Sequence, residues 1–196
     1  MNLAKELGVL LAIVMVSSMA MAQSFEGVIT YNTTNSAINE KATVKWFHKN
    51  GQNVLDFDSN AGDQRLKYSM TMNSTGESVY LKTDKGSQEI SGISGEEIFT
   101  TANFVRKAKT NEGGYDCEML MFKSNGNDLT YWVTSDIDLA YSELPKLFRN
   151  NMPSFAGISN GFPLKMELRD SSGNLLRSQE VVSVEQKKID DSKFKK

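Results

Sequence analysis

A chain of 196 residues with 22 Lys+Arg against 24 Asp+Glu and a net charge of −2 lacks the basic excess of a nucleic-acid binder. Its single cysteine, Cys117, excludes an intramolecular disulfide framework, so stability must come from an apolar core.

At the N-terminus, Lys5 precedes an apolar run from Leu7 to Val16, and Ala20 and Ala22 satisfy the small-residue rule of signal peptidase. This pattern predicts a signal peptide over 1–22 and a single β-rich domain over 23–196. The run is shorter than the ~20 apolar residues that span a bilayer, and no second one follows. No cysteine follows the cut site to carry a lipid anchor. The expectation is an exported chain, periplasmic or secreted, with no integral membrane segment after signal removal.

Strand patterns follow in close succession. FEGVITY (25–31) places Phe25, Ile29 and Tyr31 on one face, and KATVKWFH (41–48) places Ala42, Val44 and Trp46 on one side. Asn50-Gly51 is the dipeptide of a tight hairpin turn, returning the chain through 53–58. QRLKYSMTM (64–72) alternates cleanly, with Leu66, Tyr68, Met70 and Met72 inward, and NSTG turns it into 77–82. Residues 84–102 carry little pattern, although Ser94 and Glu97 stand at the spacing of a helix capping box.

Alternation resumes near Val105. In YDCEMLMFK (115–123), Tyr115, Cys117, Met119 and Met121 share one face, taken as the inward one. Asn125-Gly126 leads into 129–134. The period then changes: over 135–144, Ser135 and Asp138 stand at capping spacing and Ile137, Tyr141 and Leu144 fall on one helical face. Pro145 stops that helix or starts another. Phe162, Leu164, Met166 and Leu168 alternate over 162–170, and a last strand covers 175–186. The whole reads as mainly β: a curved antiparallel meander sheet, a half-barrel, with one or two short helices packed on its concave face.

Several stretches of this chain, GGYDCEML (113–120), YWVTSDI (131–137), GFPLKMELRDSSGN (161–174), IDDSKF (189–194) and the FEGVITY opening, resemble an exported Bacteroidota family, the domain of unknown function 4412. By analogy of pattern that family is similar to the bacterial lipoprotein carriers, whose half-barrel shields a lipid chain. The resemblance implies a lipoprotein-carrier-like fold and brings no catalytic residues with it.

Chemistry-bearing residues have plain readings. Cys117 among apolar neighbours behaves as a small hydrophobe with a raised thiol pKa. His48, the only histidine, is a polar residue at a hairpin end. Asp56, Asp58 and Asn60 match three calcium-loop positions, but Ala61 and Lys67 stand where Gly and a bidentate Glu belong, so a hairpin loop is expected. The acid pairs Glu96-Glu97, Asp136/Asp138 and Asp190-Asp191 show no acid–base geometry, and no phosphate loop, nucleophile elbow or zinc helix is present. KKIDDSKFKK (187–196) reads as a solvated tail. No catalytic residue, metal site or cofactor is expected.

The methionines are more suggestive, since flexible thioethers suit an apolar face that adapts to varied ligands. The expectation is a non-enzymatic domain binding a lipophilic ligand or an acyl-bearing protein on the face that Leu66, Tyr68, Met70, Met72, Met119, Met121 and Met166 line. The alternative is a structural or protein-interaction domain of the cell envelope with a closed core. A hollow or a filled space between sheet and helix separates the two.

Overall fold

The computed structural model describes residues 25–73, 78–91, 99 and 101–195. The expected signal peptide, the Ser94/Glu97 capping box, the Glu96-Glu97 pair and most of the NSTG turn lie outside the described residues. Eleven strands form one antiparallel sheet: β1 (Gly27–Asn35), β2 (Glu40–Lys49), β3 (Gln52–Ala61), β4 (Gln64–Asn73), β5 (Ser78–Thr83), β6 (Gly86–Ser91), β7 (Asn103–Glu112), β8 (Tyr115–Ser124), β9 (Asn127–Thr134), β10 (Phe162–Arg169) and β11 (Leu175–Gln186). Their order is β6-β5-β4-β3-β2-β1-β11-β10-β9-β8-β7. The sheet is curved and unclosed, with β6 and β7 at its two edges.

The chain therefore builds one wing outward from the middle (β1 to β6) and the other wing inward from the far edge (β7 to β11). The wings meet where β1 pairs with β11. Gly27 makes that seam possible, because a Cβ there would stand 2.3 Å from the Glu185 carbonyl oxygen. At the β2–β3 hairpin, Asn50 and Gly51 take φ of 49° and 74°, the left-handed pair a two-residue turn requires.

One face of the sheet is covered by residues 135–161. The expected helix over 135–144 does not form. Residues 135–140 are irregular and extended, a short 3₁₀ turn spans Tyr141–Glu143, and α1 (Lys146–Asn150) begins after Pro145. Ile137 and Leu139 are both buried, a spacing of two that suits extended chain and would put one of them in water on a helix. Local hydrogen bonds hold the extended form: the Thr134 hydroxyl accepts from the Asp136 amide at 3.1 Å, and the Leu139 amide donates to the Ile137 carbonyl at 2.8 Å. Phe148 meets Trp46 edge-on at 5.1 Å, while Phe155 stacks on Tyr141 at 4.6 Å and meets Tyr131 at 5.2 Å.

The opposite face carries a smaller cluster. Val28, Phe47 and Val54 form one cross-strand row, and Ile189 and Phe194 close over it. The 187–195 segment is thus a strap rather than the solvated tail expected. Its Ile189 amide donates to the Glu26 carboxylate at 2.7 Å, and the Ile189 carbonyl accepts from Lys49 Nζ at 2.8 Å. Lys193 lies 4.1 Å from the Phe47 ring centre and pairs with Asp56. Two apolar anchors five residues apart dock on the row, while most of the charged residues between them stay exposed.

Candidate ligand-binding site

A cavity of about 160 Å³ lies between the sheet and its cover. Its floor comes from both wings. Tyr31, Val44 and Phe57 are successive cross-strand partners on β1, β2 and β3, and Tyr131 partners Met166 across β9 and β10. The cover supplies Leu144, Phe148 and Met152 as its roof. Backbone irregularities flank it on both sides, one beside Tyr31 and one between Pro163 and Lys165, where the pairing slips by a residue. At the rim Lys165 pairs with Glu112 at 3.1 Å and Glu167 at 3.6 Å. The cavity wall itself carries no unpaired charge from that lysine.

Around this void the interface is filled. Trp46, Phe155, Phe162, Leu139 and Leu144 are almost fully buried. Tyr31 and Tyr131 are buried as well, and burial pushes both phenols far above their usual range, with the nearby Tyr141 adding to the rise at Tyr131. Both therefore stay protonated.

The sequence-derived candidates are not brought into one site. On β4, Leu66, Tyr68, Met70 and Met72 do share a side, but burial deepens along it from Leu66, 50% exposed, to Met72, 3% exposed. Leu66 stands beyond the cover, Tyr68 stacks on Phe57 at 4.5 Å, and Met70 packs half-buried against the core. Met166 alone of the seven lines the cavity.

On β8 the inward face is the other one. Leu120 and Phe122 are buried opposite Tyr131 and Leu129, while Met119 and Met121 alternate away, level with Trp132 and Thr130. Met121 Sδ lies 2.8 Å from Arg106 Nε. Asp116 and Glu118 begin one face and Met119 and Met121 continue the other, so alternation points to the methionine side although Leu120 and Phe122 are the buried pair. Cys117 is nonetheless buried, in the cluster holding Ile137, Leu139 and Leu164, with burial raising its thiol pKa and its Sγ donating to the Tyr115 carbonyl at 3.4 Å. It packs as a hydrophobe.

His48 stands at the end of the β2–β3 hairpin, paired with Asn53, and is buried there. Its Nδ1 lies 2.8 Å from Asn53 Oδ1, which also accepts from Trp46 Nε1 at 2.9 Å, and Asn53 Nδ2 donates to the Gly51 carbonyl at 2.9 Å. With Asn53 Oδ1 an acceptor, the proton sits on His48 Nδ1. This network ties the hairpin turn to the core and leaves the histidine a structural part.

Asp58 is held by Arg65 through two bonds of 2.8 and 2.7 Å and by Lys67, whose hydrogen bonds and charge keep its carboxyl well below the usual range. Asp56 accepts from Ser69 and from Lys193. These carboxylates serve cross-strand pairing in the β3–β4 hairpin, and among the described residues no three acidic, cysteine or histidine side chains gather around a cation position.

A family model described as a domain of unknown function, DUF4412, matches residues 25–196. The chain belongs to the DUF4412 family. This DUF4412 chain is also similar in fold to an uncharacterised conserved protein from Thermus thermophilus, with 11% identity, a TM-score of 0.55, and 94% of this chain and 93% of that one covered. A weaker likeness, TM-score 0.47 at 11% identity, links 89% of the chain to 58% of MucB. The Pseudomonas aeruginosa MucA/MucB complex gives a TM-score of 0.45 at 9% identity, over 89% of this chain and 56% of that one. No curated protein matches the sequence. No helix among the described residues is long and apolar enough to cross a membrane.

Proposed function

We propose that this DUF4412 domain is an exported, non-enzymatic binding domain of the cell envelope that holds an apolar group, from a lipid or an acyl-bearing protein, between its sheet and its cover. The observation that carries the reading is the cavity of about 160 Å³, walled mostly by apolar side chains from both wings, with Thr33, Lys165 and Gln179 among them, and roofed by Leu144, Phe148 and Met152. A mostly apolar cavity of roughly this size accommodates a benzene-sized guest. Each methylene buried there contributes about 0.8 kcal/mol. Such a space takes the end of an acyl chain or a compact ring; a whole chain requires the short α1 segment to lift.

Native mass spectrometry after gentle purification tests the reading, together with lipid titration followed at the Met152 and Met166 methyl resonances. A ligand-free mass and unmoved methyls across a lipid panel would sink it. A closed-core interaction domain is then the better account, favoured by one observation: Phe104 and Val105, 44% and 49% exposed, stand on the edge strand β7, away from the cavity.

A further inference from the structure

The strap covers only part of its face of the β1–β6 wing, and beyond it that face is polar and basic. Phe47 and Val54, under the strap, are cross-strand partners, and every second residue of each strand stays on their side. The next row along is Lys45–Asp56–Ser69–Lys82, running across β2, β3, β4 and β5. The two rows after it carry Asp58 beside Lys67, then Lys41 and Arg65 on either side of Asn60. All three rows line one broad, open concavity.

Five cations line it against two carboxylates, in a chain whose net charge is −2. Both carboxylates are engaged. Asp58 is held by Arg65 and Lys67, and Asp56 by Ser69 and by Lys193 of the strap. Lys41, Lys45 and Lys82 are exposed and have no ion pair among the described residues. Glu185 on β11 feels the charge of Lys45 but is itself paired with Lys187 at 2.6 Å. Three strand spacings, about 14 Å, separate Lys45 from Lys82, and Lys41 lies about 13 Å from Lys45 along β2. Charges so spaced are answered by a chain of repeated anionic groups rather than by one small ion.

The surroundings of the cations narrow the class of chain. Thr43 and the exposed Asn32 and Asn60 offer hydroxyl and amide groups. The aromatic lining residues, Phe57 and Tyr68, fall on the intervening positions and stack on each other on the cavity side of the sheet. The basic side therefore presents no ring on which a nucleic-acid base could stack. It also lacks the apolar centre of a protein–protein contact, and a flat bilayer would meet only the rim of a concavity. We propose that this face binds an anionic polysaccharide, a glycan bearing repeated sulfate, phosphate or uronate groups, with Lys41, Lys45 and Lys82 as its charge contacts. The site is independent of the cavity, which lies on the other side of the sheet.

A short heparin oligosaccharide, titrated into the full domain at low salt, tests this. Binding is read from the Lys45, Ser69 and Lys82 amide resonances, with a neutral dextran oligosaccharide of equal length as control. Lys45→Gln/Lys82→Gln should weaken heparin binding about fivefold, and Lys45→Arg/Lys82→Arg should bind as the wild type does. Lys109→Gln/Lys123→Gln removes as much charge outside the concavity and should leave the affinity nearly unchanged, since distant exposed charges are screened. Equal losses in the two glutamine variants overturn the site, as do unmoved amides or equal binding of dextran. Tighter binding of a single-stranded oligonucleotide or of phosphatidylglycerol vesicles through the same two lysines overturns the glycan. The Met152 and Met166 methyls report on the cavity separately, so neither result touches that reading.

Discussion

Two irregular segments close the two faces of this sheet, and they do so differently. The cover (135–161) brings Leu139, Leu144 and Phe155, at 1%, 2% and 0% exposure, onto strands of both wings and encloses a void. The strap (187–195) brings Ile189 and Phe194, at 7% and 9%, onto the single row of Val28, Phe47 and Val54. The strap is held by polar bonds at Ile189, whose amide donates to the Glu26 carboxylate and whose carbonyl accepts from Lys49, and by the Lys193–Asp56 pair toward its other end. The cover relies chiefly on aromatic and aliphatic packing, with Ser159 donating to Glu118 and Lys107 to the Ile158 carbonyl at one end. Apolar closure over a gap suits binding; a small, fully occupied contact secured by charges suits fastening.

Substitutions can break or sharpen that contrast. Phe155→Ala removes a ring stacked between Phe122 and Tyr141 and should cost about 3–5 kcal/mol in urea unfolding. Phe194→Ala in the strap should cost less, about 2 kcal/mol, because its neighbours are few and the site is open to solvent on one side. Equal losses from the two would erase the distinction.

Adding one methylene on each side gives opposite signs. Val44→Ile extends into the cavity and should stabilise by about 0.8 kcal/mol while weakening lipid binding. Val54→Ile, wedged under the strap, should destabilise by about 1 kcal/mol, both read from denaturant midpoints.

The smallest effect concerns pH. The Ile189 amide, with help from Lys49, holds the Glu26 carboxyl below its ordinary pKa. The carboxylate's contribution is therefore complete above the unfolded value of ~4.3 and is lost as pH falls through the lower folded value. The Ile189 amide resonance should move in that acid window and stay still in Glu26→Gln, while resonances of the cover do not respond.

How much of this was legible follows from what each segment buries. β2 and β4 alternate because one side of each faces apolar neighbours, and the Asn-Gly turns declare themselves through their left-handed backbone. β6 was missed: GSQEIS lies at an edge, and Gly86 through Glu89 are exposed, so no alternation marks it. The 135–144 stretch misled because Ile137, Tyr141 and Leu144 fit a helical stripe, while the equally buried Leu139 that breaks it carried no weight in the pattern. Ile189 and Phe194 sit among charges, and nothing local reveals the row they find. The cavity is the least readable feature. Tyr31 and Tyr131 line one cavity only because of the order in which the strands are laid, which no periodicity records.

That order has a further consequence. Apart from the β1–β11 seam, every ladder in the sheet joins strands consecutive in the chain, so the cost of bringing distant segments together is concentrated there. A break introduced within 92–102, between β6 and β7, would divide the molecule into two pieces without severing a hairpin. Each piece would own half of the cavity's floor, the first carrying Tyr31 and the second Tyr131. Complementation between the pieces, produced separately and mixed, would then regenerate the cavity only when the edges of β1 and β11 recognise each other.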